Sequence, residues 1–222
     1  MAAAYVQSNS STVFSGTTIA VAYTGNVTAG GLLVCHIYAN HGISSVADSR
    51  SQTYSASTNV TDGATYSLAT FYFPNTTGGA CTITCTFAGA VTYASMQVAE
   101  YSGVATSSPL DQTTSNNQTT PGTATDAITS GSVTTTTDGQ LIVGWTTALT
   151  VGVGTVTAGT NYTARTNIFG DTVDEDRVQT SAGSIAATFT TTSATSNYTT
   201  IISTFKAATA SQSLLTLLGV GR

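Results

Sequence analysis

Apolar and polar positions alternate along much of this 222-residue chain. TIAVAY (Thr18–Tyr23) and CTITCTF (Cys81–Phe87) place apolar side chains at every second position, the period of a strand with one face in a core. Ser95–Asp111 opens in the same way, with Met96, Val98 and Glu100 on one face and Gln97, Ala99 and Tyr101 on the other, and breaks at Ser102-Gly103. LLVCHIYAN, from Leu32, is a continuous apolar run of the kind that forms a central strand covered on both sides. YSLATFYF (Tyr66–Phe73) stops at Pro74, which has no N–H to give a ladder. Outside the last residues, no apolar pattern at helical spacing persists for three turns, so long helices are not predicted.

The strand order then repeats. Asp138-Gly139 leads into QLIVGW as Gly30-Gly31 leads into LLVCHI, with an offset of 109 between Leu32 and Leu141. GTNYTAR echoes SQTYSA around Tyr54, GSIAATF echoes CTITCTF, and YTTIISTF echoes YASMQVAEY. The pattern predicts an all-β fold, a two-sheet antiparallel β-sandwich of jelly-roll-like form with an internal duplication. It spans residues 1–208, in halves of about 1–105 and 128–208, each half contributing strands to two packed sheets. Residues 106–127, rich in Thr, Asn and Ser with Pro109 and Pro121, read as a long linker. Residues 209–222 contain SLLTLL, apolar and unalternated. Leu214, Leu215, Leu217 and Leu218 are expected to make a subunit contact, because a free run of leucines would be a greasy exposed patch.

Composition narrows the partners. Only 7% of residues are charged against 41% hydrophobic, where an average soluble protein carries about 25% charged residues. The polar surface is therefore built from hydroxyls, and Thr suits a pleated, half-exposed face. The net charge is -5, and Arg50, Arg165, Arg177, Lys206 and Arg222 are scattered. Nucleic acid, which demands clustered cations, is excluded as a default partner. No run approaches the roughly 18 apolar residues of a membrane helix. The N-terminus lacks a basic stretch followed by an apolar core, so no secretory signal is expected.

Candidate chemistry is sparse. His36 and His41 are the two histidines, five apart, so they face opposite sides of a continuous strand and do not suggest a shared site. No G-x-S-x-G elbow is present, and no carboxylate pair suggests glycoside hydrolysis. The acids cluster in FGDTVDEDRV, expected as a solvated loop with Arg165 and Arg177 as candidate neutralising partners. Asp171, Asp174 and Asp176 are the candidate ligands for Ca²⁺, a cation that takes several oxygens. Cys81 and Cys85 lie about 13 Å apart on an extended strand, too far for a mutual disulfide. Pairing of Cys35 with one of them stays open beside the simpler reading of three buried thiols. Trp145 reads as core, and the ten tyrosines mostly as strand packing with a weak sugar-platform signal.

The segments AYVQSNS (4–10), TAGGLLVC (28–35), SVADSRSQTY (45–54), VAEYSGV followed by SPLD (98–111), TTDGQLIVGW (136–145) and VDEDRVQTSAGS (173–184) span almost everything but the tail. On these segments the chain resembles an uncharacterised Ser/Thr-rich β-sandwich domain that recurs in bacterial extracellular proteins and phage structural proteins. That family often has Gly-Asp where this chain has Gly30-Gly31 and Asp138-Gly139. The resemblance implies a non-enzymatic display or adhesion module and transfers no catalytic residue. The expected function is a structural protein on a virion surface, a phage capsid decoration or fibre component, partnered by copies of itself and other virion proteins. The alternative is a secreted bacterial adhesion or carbohydrate-binding module that meets a host-surface glycan.

Overall fold

The alternating runs become the strands of the computed structural model, which describes residues 2–61, 66–119, 127–148, 155–192 and 197–209. In the first half these are β1 (Ala4–Val13), β2 (Gly16–Ala22), β3 (Leu32–Ala39), β4 (Ile43–Asp48), β5 (Ser55–Thr61), β6 (Ser67–Phe73), β7 (Thr82–Val91) and β8 (Ala94–Ser102). In the second half they are β9 (Leu110–Thr119), β10 (Ala127–Thr129), β11 (Val133–Thr134), β12 (Gln140–Ala148), β13 (Val156–Ala158), β14 (Thr163–Ile168), β15 (Thr172–Gln179), β16 (Ser184–Ile185), β17 (Thr188–Thr191) and β18 (Asn197–Phe205).

The pairing is that of a long hairpin folded over on itself. β1 pairs with β8, β2 with β7 and β3 with β6. In the second half β9 pairs with β18, β10 with β17, β11 with β16 and β12 with β15. Such nested antiparallel pairs, wound into two layers, make a jelly roll. The large sheets run β1-β8-β3-β6-β5 and β9-β18-β12-β15-β14, and the small ones β2-β7-β4 and β10-β17-β13. The large and small sheets of the two halves match in strand order, with the β11–β16 pair an addition in the second half, and this bears out the all-β sandwich with its duplication.

Each half closes its own pair of layers, so the molecule stacks four rather than two. Ile19, Val21, Ile83 and Cys85 of one small sheet pack on Leu33, Cys35, Ile37, Met96 and Val98 of its large sheet. Ile128, Val156 and Phe189 do the same against Ile142, Val173 and Ile202. The large sheets then meet back to back, with Leu32, Val34 and Tyr101 against Leu141, Val143 and Phe205. This double burial explains the continuous apolar runs, since every residue of β3 and of β12 is buried. The outer strand β7 keeps strict alternation over Thr82–Phe87 because its other face is wet.

At the centre of this middle interface His36 stacks on Trp145, ring centroids 5.4 Å apart and planes 19° from parallel. The two positions are related by the same 109-residue offset that relates Leu32 to Leu141. Equivalent strands therefore face each other across a pseudo-twofold axis, as in an isologous dimer. Hydroxyls fill the remainder: Ser57 meets Ser203 at 2.8 Å, Thr58 bonds Thr113, and Gln97 donates to Thr166 and to the Thr172 carbonyl.

Two further sequence expectations change. The stretch expected as linker contains β9, an edge strand of the second large sheet running antiparallel to β18 from Leu110 to Thr119. Its LDQTTSNNQT lacks alternation because hydroxyl and amide side chains, such as Thr113 to the Ile202 carbonyl and Asn116 to the Thr129 carbonyl, satisfy its neighbours. The acidic segment is not a solvated loop but the buried strand β15. Leu214, Leu215, Leu217 and Leu218 lie outside the described residues.

Burial lowers the pKa of His36 to about 3, and its Nδ1 lies 2.9 Å from the Thr70 hydroxyl. The unfolded chain therefore takes up this proton near pH 6.5 and the folded chain only near 3, so the neutral ring stabilises the fold above 6.5 and the benefit fades as pH falls. His36→Phe keeps an aromatic stack without that proton. In urea denaturation, wild type is expected to lose stability relative to His36→Phe between pH 6.5 and 4, at up to about 1.4 kcal/mol per pH unit.

Candidate functional site

At one end of the seam between the large sheets, both halves contribute aromatic side chains to a cleft of about 360 Å³. Tyr38 ends β3, Tyr66 enters β6, Tyr93 sits between β7 and β8, and Phe14 follows β1, whereas Phe169 and Asp171 come from the β14–β15 hairpin. Tyr38 and Tyr66 stack at 5.0 Å, and Tyr93 meets Tyr38 at 5.7 Å and 61°. Tyr93 also lies 5.7 Å and 53° from Phe14, and 6.5 Å and 41° from Phe169. The rings are inclined walls around Tyr93 rather than a flat row.

Two of these rings sit where the fold does not require them. Phe14 is 66% exposed and Phe169 68%, far above Val6 and Val178, the other exposed large apolar side chains among the described residues. Phe169 also occupies the left-handed region, with φ 54° followed by 85° at Gly170. The Asp171 N–H donates to the Ile168 carbonyl across this two-residue turn, and the Gly170 N–H donates to Asn167 Oδ1. Turns with both central residues at positive φ favour Asn-Gly. A bulky residue there costs about 1–2 kcal/mol, and an exposed ring gives nothing back to the core.

Asp171 stands beside the aromatics, half-buried. Its Oδ1 accepts the Thr172 hydroxyl at 3.2 Å, and Thr172 meets Thr147 at 2.7 Å. Burial raises its pKa, partly countered by the Thr172 bond. Among the described residues, no Lys or Arg lines the cleft.

The other acids of the predicted Ca²⁺ set are committed elsewhere. Asp174 Oδ1 accepts both the N–H and the hydroxyl of Thr166, and burial, offset by those bonds, pushes its pKa up to about 6. Asp176 accepts Arg165 in a two-pronged pair at 2.7 and 2.8 Å. Glu175, on the opposite face of β15, accepts the N–H groups of Gly159 and Thr188, while burial pushes its pKa up to about 8. Asp171, Asp174 and Asp176 do not converge, and no group of three or more His, Cys, Asp or Glu among the described residues is placed to hold a metal ion.

His41 is exposed on the loop after β3, away from the buried His36. Cys35, Cys81 and Cys85 are all free and buried. A second, polar cleft of about 610 Å³ at the seam is bordered by Tyr5, Asn161, Arg165, Asp176 and Arg177. Its Arg165 guanidinium lies 3.9 Å above the Tyr5 ring and is already paired with Asp176.

Neither Phe14 nor Phe169 stands out by strand periodicity, since both lie in turns. The legible signal was a large aromatic directly before a hairpin glycine, in IFGD. Two outcomes follow. Phe169→Asn relieves the turn, and thermal unfolding is expected to show a stability gain of about 1 kcal/mol. Arg165→Met strands the Asp176 carboxylate, whose side chain is 6% exposed, and denaturant titration should show a loss of about 3–5 kcal/mol. No protein-family model matches the chain, and a search of curated proteins finds no match, so the cleft is read on its geometry alone.

Proposed function

We propose that this chain is a non-enzymatic structural protein displayed on a virion surface, a capsid decoration or fibre component that works through contacts. The observation that carries the reading is the four-layer double jelly roll, whose buried acids are spent on internal donors. No nucleophile, base and orienting acid meet among the described residues. Jelly rolls serve as rigid bricks in capsids and as lectin domains, and the low charge of 7% removes repulsion between closely packed copies. The domain that the sequence resembles recurs in phage structural proteins and in bacterial extracellular proteins, and so is compatible with this reading.

The secreted adhesion or carbohydrate-binding module remains the competing account. The mutual inclination of the cleft rings, 41° to 61° around Tyr93, gives it no flat sugar platform there.

Light scattering of the purified full chain, together with probing of purified virions by antibody, tests the proposal. Self-assembly above the monomer mass and stoichiometric presence in virions are the expected results. A monomer absent from virions and released into culture medium would overturn it.

A further inference from the structure

The aromatic cleft joins two features that a packing role does not explain: exposed rings at Phe14 and Phe169, the second held in a strained turn, and a half-buried carboxylate with no Lys or Arg among the described residues that line the cleft. We propose that it is a binding site for a quaternary ammonium group of the choline type. The ring faces of Phe14, Tyr93 and Phe169 would surround the methyl groups, and the Asp171 carboxylate would supply the counter-charge.

The chemistry follows from the geometry. The face of an aromatic ring carries negative potential and attracts a cation within about 6 Å of its centroid, more strongly where water is displaced. Phe14, Tyr38 and Phe169 pack directly on Tyr93, with centroids 5.7, 5.7 and 6.5 Å away, and Phe14 and Phe169 remain 66% and 68% exposed where they line the cleft, open to a cation. A weakly hydrated ammonium wrapped in methyls suits carbon-faced walls, whereas a hydrated metal ion requires several oxygens and finds one carboxylate. A neutral sugar would leave Asp171 without a charge partner. The position is also electrostatically favourable, because the protein carries a net charge of -5 and no Lys or Arg among the described residues lines the cleft. The volume of about 360 Å³ lies in the small-molecule range of about 300–1,000 Å³. The site goes beyond the structural role proposed above, and a virion protein without it would still assemble.

Isothermal titration calorimetry of the full chain with choline chloride and tetramethylammonium chloride tests the site, against sodium chloride at matched ionic strength. Saturable 1:1 binding of both cations is expected, with 3,3-dimethylbutan-1-ol, the uncharged isostere of choline, at least about tenfold weaker. Asp171→Asn should weaken choline by about tenfold or more. Phe169→Asn should weaken it several-fold while raising the melting temperature, a combination that general damage cannot produce. If Asp171→Asn fails to fold, the Phe169→Asn and isostere arms decide. Absence of saturation by both cations, equal binding of the neutral isostere, or saturable binding of glucose or N-acetylglucosamine in place of choline would each overturn the proposal.

Discussion

Burying both faces of a sheet requires a second apolar surface, and in this chain each large sheet finds it in the other. One face of each is sealed by its own small sheet, and the remaining face has no partner within its half. The back-to-back contact of β3, β6 and β8 with β12, β15 and β18 removes that surface from water. Everything else follows from it: the fully buried central strands, the burial of polar residues that a two-layer protein would leave wet, and the creation of clefts at the two ends of a seam.

The interior tolerates much polarity. Among the described residues five acidic side chains, Asp48, Glu100, Asp174, Glu175 and Asp176, belong to buried residues. Few cations are present to neutralise them, and backbone amides take much of that part. Glu100 accepts the Thr28 N–H at 2.6 Å and Gln7 Nε2 at 2.7 Å, pinning the β2–β3 connection to β8. Asp48 collects the N–H groups of Arg50 and Gln52 as well as the Arg50 guanidinium. A buried carboxylate surrounded by directed donors fixes one loop conformation, because losing a donor leaves a charge in an apolar medium. These acids act as fasteners for connections that are rich in Thr, Ser and Gly and have little apolar material of their own.

Much of this was legible in the chain. Alternation located the outer strands, continuous apolar runs located the inner ones, and the Leu32–Leu141 echo exposed the duplication, because strand period and burial translate directly into residue pattern. β9 was hidden: an edge strand bonded through Thr113 and Asn116 carries no apolar stripe. The acids of β15 were misleading for the related reason that charge ordinarily means solvent, and only the fold reveals the amides of Gly159, Thr166 and Thr188 waiting for them. The aromatic cleft escaped notice because its walls come from turns far apart in sequence. No local spacing joins Phe14, Tyr93 and Phe169. The layer count was also beyond periodicity, which reports that a face is covered but not by what.

The stacking of His36 on Trp145 has an evolutionary corollary. Two identical protomers meeting on a rotation axis must place the same residue on both sides, His against His or Trp against Trp. Joining the copies in one polypeptide lifts that requirement, and each side of the axis is free to diverge into a complementary partner. Tethering also makes the union independent of dilution, since the second copy is always at high local concentration. A symmetric pair of separate chains lacks both freedoms, and in this chain positions 36 and 145 hold the unlike pair that only the joined arrangement permits.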